Sequence, residues 1–296
     1  LLTWNSSYEP YVILTGALFI VFLLIGIRYR LKLLGGRGSI SYINKSDDQV
    51  AMSMPTGLLI GNAQTIGRRQ EQDDYFSSLV TRIGTMAVIG DGISGLKHGR
   101  MASTLAVTLF GKEFLKLDDP RNITEYFHHA ASMSNRGILE QLGGAHGGTT
   151  LVAAVVTANR LHYAAVGDSM ILLFRDGEFM ALNSRHTLET MLEAKFLSGE
   201  ITREEVTNHP QRNQLINYLG YEGFKSMEIG DPITVLPDDV IILCSDGVYD
   251  ALTEVDMEQI LMKKLCPQET AEQMIECVER KSYKHQDNAT VIIMQV

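Results

Sequence analysis

The chain has 296 residues, 45% of them hydrophobic and 21% charged, with a formal net charge of −9. This is the composition of an ordinary folded protein with ample material for a large core. The acidic balance argues against nucleic acid as a partner, because phosphate backbones are held mainly by Lys and Arg, and it suits a site that collects cations.

The first element runs from Tyr11 to Ile27, seventeen residues without a charge, and Leu31, Leu33 and Leu34 extend the apolar character. A helix needs about 17 to 20 apolar residues to cross a bilayer core. The run is apolar all round, so a membrane span is expected over 11–27 rather than a buried core helix. Glu9 is the one acid of residues 1–38, against Arg28, Arg30, Lys32 and Arg37. These bases follow the apolar run, whereas a cleaved signal peptide carries its charge before it. The positive-inside rule then places the C-terminal side in the cytoplasm. Trp4, Tyr8 and Tyr11 suit an outer interfacial belt. The expected organisation is an anchor at 1–34, in contact with lipid along 11–27, then a linker at 35–55 and a folded domain at 56–296. The linker, GGRGSISYINKSDDQVAMSMP, is dominated by glycine, serine and charge and shows no period. The expected location is the cell membrane, single-pass, with the domain on the cytoplasmic side.

From Pro55 onward, short β-rich runs alternate with amphipathic helical patterns. Strands are predicted at 57–65, 85–90, 148–157, 160–166, 170–175, 178–182, 239–244 and 289–296. The Asp-Gly within RDGEF, residues 175–179, is a hairpin signal. Helices are predicted at 96–116, 122–142, 187–199, 209–219, 253–264 and 268–283. In the first, Ala102, Leu105, Ala106, Leu109 and Leu115 fall near one face. In the second, Ile123, Phe127, Ala130, Met133 and Leu139 do the same. Strands joined by hairpins, with long helices between sets of strands, predict antiparallel sheets covered by helices.

Several of these strands end or begin in a bare carboxylate. The run MAVIG stops at Asp91-Gly92, VIILCSDG at Asp246-Gly247 and LHYAAVGDS at Asp168-Ser169, while Asp287 opens the last strand and EQDDYF offers Asp73 and Asp74. Each alone is ordinary turn chemistry. Together, with no His-rich or Cys-rich cluster beside them, they form a set of hard oxygen donors of the kind that selects Mg²⁺ or Mn²⁺. Two such ions can make a nucleophile from water at neutral pH, which suits phosphate ester hydrolysis. Arg68 and Arg69 stand just before Asp73 and Asp74, and a guanidinium grips phosphate oxygens in fork geometry. Cys244, Cys266 and Cys277 fit no zinc spacing and read as reduced thiols.

The successive stretches TIGRRQEQDDYF, AVIGDGISG, GGTTLVAAVV, AAVGDSMILLFRDG, LCSDGVYD and DNATVII resemble, in order and spacing, the motifs of the metal-dependent PPM (PP2C) protein serine/threonine phosphatases. The resemblance covers about residues 57–296. It implies an α+β fold, a four-layer α-β-β-α sandwich of two antiparallel sheets flanked by helices. It selects Arg69 as the phosphate-binding arginine, paired with Asp74, and leaves Arg68 as a solvated neighbour. It implies that Asp91 bridges two metals and that Gly92 gives its carbonyl. Asp246 and Asp287 are implied as further ligands, Asp73 as acting mostly through water, and Asn288 as steadying the loop.

The implied cofactors are two Mn²⁺ or Mg²⁺ ions. The implied reaction is direct attack of a metal-bridging hydroxide on phosphoserine or phosphothreonine, with phosphorylated proteins, substrates of a Ser/Thr kinase, as partners. Asp168 is expected to support the fold or the residues around the ligands rather than to bind metal, and Gly148, Thr149 and Thr150 to serve close strand packing. Some members place a histidine after the first Asp-Gly, where this chain has Ile93. Some hold a third metal through an aspartate before GTT; the matching place is Ala145, beside His146, so a third metal is not expected. Residues 183–213 resemble the variable flap of bacterial members, in which His186, His209 and Arg212 suit either phosphopeptide contact or capping and surface roles. Two alternatives remain: a catalytically silent membrane scaffold, and a phosphatase of small phosphoesters.

Overall fold

The computed structural model describes residues 58–93 and 98–296. The expected span at 11–27, the anchor and the linker lie outside these. Among the described residues, no helix is long and apolar enough to cross a membrane.

In chain order the elements are β1 (Leu59–Thr65), β2 (Tyr75–Val80), β3 (Thr85–Gly90), α1 (Gly99–Lys116), α2 (Ile123–Leu142), β4 (Leu151–Thr157), β5 (Arg160–Val166), β6 (Met170–Arg175) and β7 (Glu178–Ala181). Then come α3 (Leu188–Leu197), α4 (Arg203–Thr207), β8 (Glu228–Ile229), β9 (Ile233–Thr234), β10 (Val240–Cys244), α5 (Asp246–Tyr249), α6 (Glu254–Leu261), α7 (Pro267–Lys281) and β11 (Ala289–Gln295).

Two sheets result, one in the order β1-β11-β10-β6-β7 and the other β2-β3-β4-β5-β8, with β9 also pairing β5. All strand pairs are antiparallel. The central strands are apolar on both faces because both faces are covered. In β3, Met86 and Val88 pack with Ala106, Phe110 and Phe127 of α1 and α2. Its alternate residues, Ala87 and Ile89, face the other way, against Leu173, Leu243 and Ile292 of the opposite sheet. In β11, Val291 and Ile293 pack with Met274 and Val278 of α7, while Ile292 and Met294 join the layer between the sheets. Three apolar layers thus separate helices, sheet, sheet and helices, as the two-residue period of a strand requires. The antiparallel sheets and flanking helices agree with the expected architecture.

Three differences have physical causes. Residues 209–219 are not helical: the segment opens with His209-Pro210, and its backbone pairs elsewhere. Leu188 donates its N–H to Gln214, and Leu219 exchanges both backbone bonds with Thr149. The strand β2 was absent from the sequence reading, because YFSSLV is an edge strand of mixed polarity whose ends are exposed. The short helix α5 follows a predicted strand directly and is only four residues long.

Candidate active site

Strand register assembles the acidic residues in two pairs. Tyr75 faces Gly90 in the β2–β3 ladder, so Asp74 and Asp91 stand beside one another at that end of one sheet. Cys244 faces Val291 in the β10–β11 ladder, which puts Asp246, the first residue of α5, near Asp287 at the corresponding end of the other. The two pairs are joined across the sandwich. Ser245 and Thr290 both donate hydroxyl hydrogen bonds to Asp74 Oδ2, at 2.8 and 2.7 Å. Thr290 N–H in turn donates to Ser245 Oγ.

Asp74 is buried, at 3% exposure. Its second oxygen, Oδ1, is buried with no hydrogen-bond partner. Burial raises its carboxyl to about 6, against the opposing pull of the two hydroxyls and of Asp91. Asp91 is partly open to the cleft but closely surrounded, and its carboxyl is pushed well above the usual range by burial and then by Asp246, Asp74, Asp168 and Asp287. Burial also raises Asp246, with Asp168, Asp287, Asp74 and Asp250 adding to the effect. The four expected ligands are therefore within mutual electrostatic range at one place.

The backbone around them is fixed. Asp91 O accepts from Thr150 N–H and Thr149 Oγ1–H, both at 2.8 Å. Gly92 N–H donates to Asp73 O. A Cβ at Gly92 would lie 2.5 Å from the Gly99 carbonyl carbon, so only glycine allows this approach. Asn288 is buried and ties the first loop to the last: its Oδ1 accepts from Asp73 N–H at 2.8 Å, and its Nδ2 donates to Ile66 O and Glu71 O. That matches the steadying role expected of it. Arg69 lies in the same loop, exposed at the rim, with Nη2 donating to Asp287 Oδ2 at 2.5 Å. Arg68 is exposed, and its backbone N–H donates to Gln286 O.

The carboxylates floor a cleft of ≈ 380 Å³, lined among others by Asp91, Asp168, Asp246, Asp287, Ile93 and Tyr218. Asp168 is held on the turn after β5, where Gly167 adopts φ +96° against Thr150. Its carboxyl is raised by burial and eased by Arg185. It belongs to the wall of the cleft as well as to the fold.

Two residues of the site were not singled out from the sequence. Asp250 lies four residues after Asp246, a spacing that returns to the same face of a helix and was readable in VYD. Arg185 sits electrostatically beside Asp168 and Asp250, with its guanidinium 5.9 Å from the Tyr249 ring centroid. The flap residues are engaged locally: His209 Nδ1 accepts from Gln211 N–H and Arg212 Nη1 donates to Thr207 O. His186 Nδ1 accepts from Gly167 N–H, and its Nε2 lies 3.3 Å from Glu228 Oε2.

This donor set fits divalent cations. It is all oxygen, acidic neighbours raise both Asp91 and Asp246, and Asp74 Oδ1 is a buried acceptor with no hydroxyl or N–H to accept from. Among the described residues, no three His, Cys, Asp or Glu side chains are already gathered about one point as a metal would hold them. The fit rests on donor chemistry and on the orphaned oxygen. A thiol nucleophile has no place here: Cys244 is fully buried and its thiol is pushed up to about 12 by burial.

An acidic cleft at one end of two stacked antiparallel sheets, with a guanidinium at its rim, suits hydrolysis of phosphate esters. The chain belongs to the protein phosphatase 2C family, whose model, described as Protein phosphatase 2C, matches residues 63–285. It is a serine/threonine phosphatase. The serine/threonine phosphatase stp of Listeria innocua is 32% identical over 220 residues, covering 71% of this chain and 84% of that protein. The solved serine/threonine phosphatase of S. agalactiae superposes with a TM-score of 0.72 at 25% identity, covering 81% of this chain and 100% of that one. The catalytic domain of the phosphatase PstP, solved in complex with two manganese ions, has a TM-score of 0.66 at 23% identity, covering 80% and 97%, and shares the fold.

Proposed function

We propose that this phosphatase is metal-dependent and hydrolyses phosphoserine and phosphothreonine on proteins directly, with Asp74, Asp91, Gly92, Asp246 and Asp287 holding two Mn²⁺ or Mg²⁺ ions. The observation that carries the reading is the buried Asp74 Oδ1, with no donor to accept from, beside the crowded carboxyls of Asp91 and Asp246, which burial and their acidic neighbours both raise. The two manganese ions bound by PstP support it. When bound, such a pair lowers the pKa of water and offsets the negative charge of the phosphoryl group.

The chain supplies the rest. Arg69 presents its guanidinium beside Asp287 at the rim, where a two-pronged grip on phosphate oxygens fits and strengthens as charge builds on them. Asn288 holds that loop in register with Asp74. Ile93 in the cleft wall has no proton to give, so the leaving serine or threonine oxygen either takes its proton from water or departs without one. No side chain forms a covalent phosphoenzyme. A phosphothreonine peptide is expected to be hydrolysed with excess MnCl₂ and to be untouched in EDTA. Equal turnover in both would remove the metals from the mechanism.

The domain is further proposed to be held at the membrane through 11–27, facing the cytoplasm. The positive charge that follows the apolar run supports this. The chain should pellet with membranes and lose that behaviour when residues 1–34 are removed. Recovery of the complete chain in the soluble fraction would reject the anchor.

A further inference from the structure

A second groove, of ≈ 420 Å³, adjoins the catalytic cleft, and the two share one residue, Tyr218. Its apolar wall is made by Leu139, Leu142, Tyr218 and Tyr221, and its rim carries one carboxylate, Glu222, and one imidazole, His146, both at exposed positions. The Tyr218 and Tyr221 rings stack with centroids 5.3 Å apart.

The shared wall is rigidly built. Leu219, next to Tyr218, donates to Thr149 O and accepts from Thr149 N–H. The hydroxyl of Thr149 holds the Asp91 carbonyl. Gly220 adopts φ +94° and donates its N–H to Asn135 Oδ1 at 2.7 Å. A Cβ at Gly148 would lie 2.6 Å from the Tyr218 ring, so the missing side chain there is what admits the ring. The groove is thus fixed to the same backbone that positions Asp91.

We infer that this groove is a substrate subsite that takes an Arg or Lys side chain one or two residues from the phosphorylated serine or threonine. The inference rests on the protein-phosphatase reading above. The chemistry selects the occupant. The Tyr221 ring, 41% exposed beyond its stack on Tyr218, offers an outer face to a guanidinium or ammonium, leucines cover its aliphatic stem, and Glu222 pairs with the head while repelling an acidic residue. An extended peptide advances about 3.4 Å per residue, so a neighbour of the phosphoresidue reaches across the thickness of the Tyr218 ring.

The test compares two phosphothreonine peptides, one with Arg and one with Glu at the neighbouring positions, on the complete chain and on Glu222→Lys and Tyr221→Ala. The original protein should favour the Arg peptide by about tenfold in kcat/KM, the scale of one cation–π contact plus one exposed ion pair. Glu222→Lys should abolish or invert that ratio, and Tyr221→Ala should lower it. A folding defect lowers both rates and leaves the ratio standing, so the ratio reports the subsite. Equal rates on the two peptides, or a ratio indifferent to Glu222→Lys, overturn the inference. The affinities of both peptides for Asp91→Asn protein, read by titration, order the same way without turnover. Absence of turnover with that order intact counts against the catalytic reading alone, and absence of the order counts against the subsite.

Discussion

Asp91→Asn is expected to lower kcat on a phosphothreonine peptide by about 10³-fold, the scale on which removing one transition-state contact acts, and to make the metal-free protein more stable. Both outcomes have one origin. Burial first, and then the neighbouring Asp246, Asp74, Asp168 and Asp287, hold the Asp91 carboxyl well above the usual range. A charge there is costly without a cation to meet it. The amide has the shape of the carboxylate, and the bonds that fix this turn are made by the backbone of Asp91 to Thr149 and Thr150. The substitution therefore removes charge and leaves the turn. The melting temperature in EDTA should rise by about 2–4 °C, which about 1 kcal/mol yields in a domain of this size. Function and stability are set against each other at this residue. Turnover near that of the original protein would remove Asp91 from the site; a fall in the EDTA melting temperature would contradict the repulsion.

Much of this was legible from residue order alone, for reasons the structure makes plain. Asp91, Asp246 and Asp287 could be picked out because each interrupts or opens a run that is apolar on both faces, and in such a run a carboxylate is conspicuous. Asp74 was readable through its neighbours: its strand, YFSSLV, lies at a sheet edge with mixed polarity, so periodicity gave it no support and the RRQEQDD wording had to carry it. The segment 209–219 was expected to be a helix. Its structure is decided by Thr149 and Gln214-to-Leu188 backbone bonds, which join residues distant in sequence and leave no local trace. The same non-local pairing hid Tyr218 as a wall of the cleft. Asp250 was within reach through its four-residue spacing from Asp246, but Arg185 was missed for a different reason: it stands in a stretch that also reads as surface, and only its place beside Asp168 and Asp250 makes it part of the site.

The stability of the protein should depend on pH and on divalent cation together. Asp74 has a carboxyl near 6 in the folded protein, above its ordinary 3.8. Between about pH 4 and 6 the folded state therefore holds a proton that the unfolded chain has released, and the resulting cost is absent below that window and complete above it. Asp91 and Asp246 are raised in the same direction and extend the loss to higher pH. In EDTA the melting temperature should accordingly fall from pH 5 to pH 7.5. Cation binding reverses the balance, since it needs the deprotonated carboxylates and stabilises only the folded state. At about one hundred times the dissociation constant it contributes about 2.7 kcal/mol, or roughly 5–10 °C here. Mn²⁺ should thus raise the melting temperature by that amount at pH 7.5 and by much less at pH 5. In Asp74→Asn both the EDTA pH slope and the Mn²⁺ shift should shrink together, because the same oxygens are responsible for each. A Mn²⁺ shift equal at the two pH values, or one untouched by Asp74→Asn, would show that the cation binds elsewhere on the molecule.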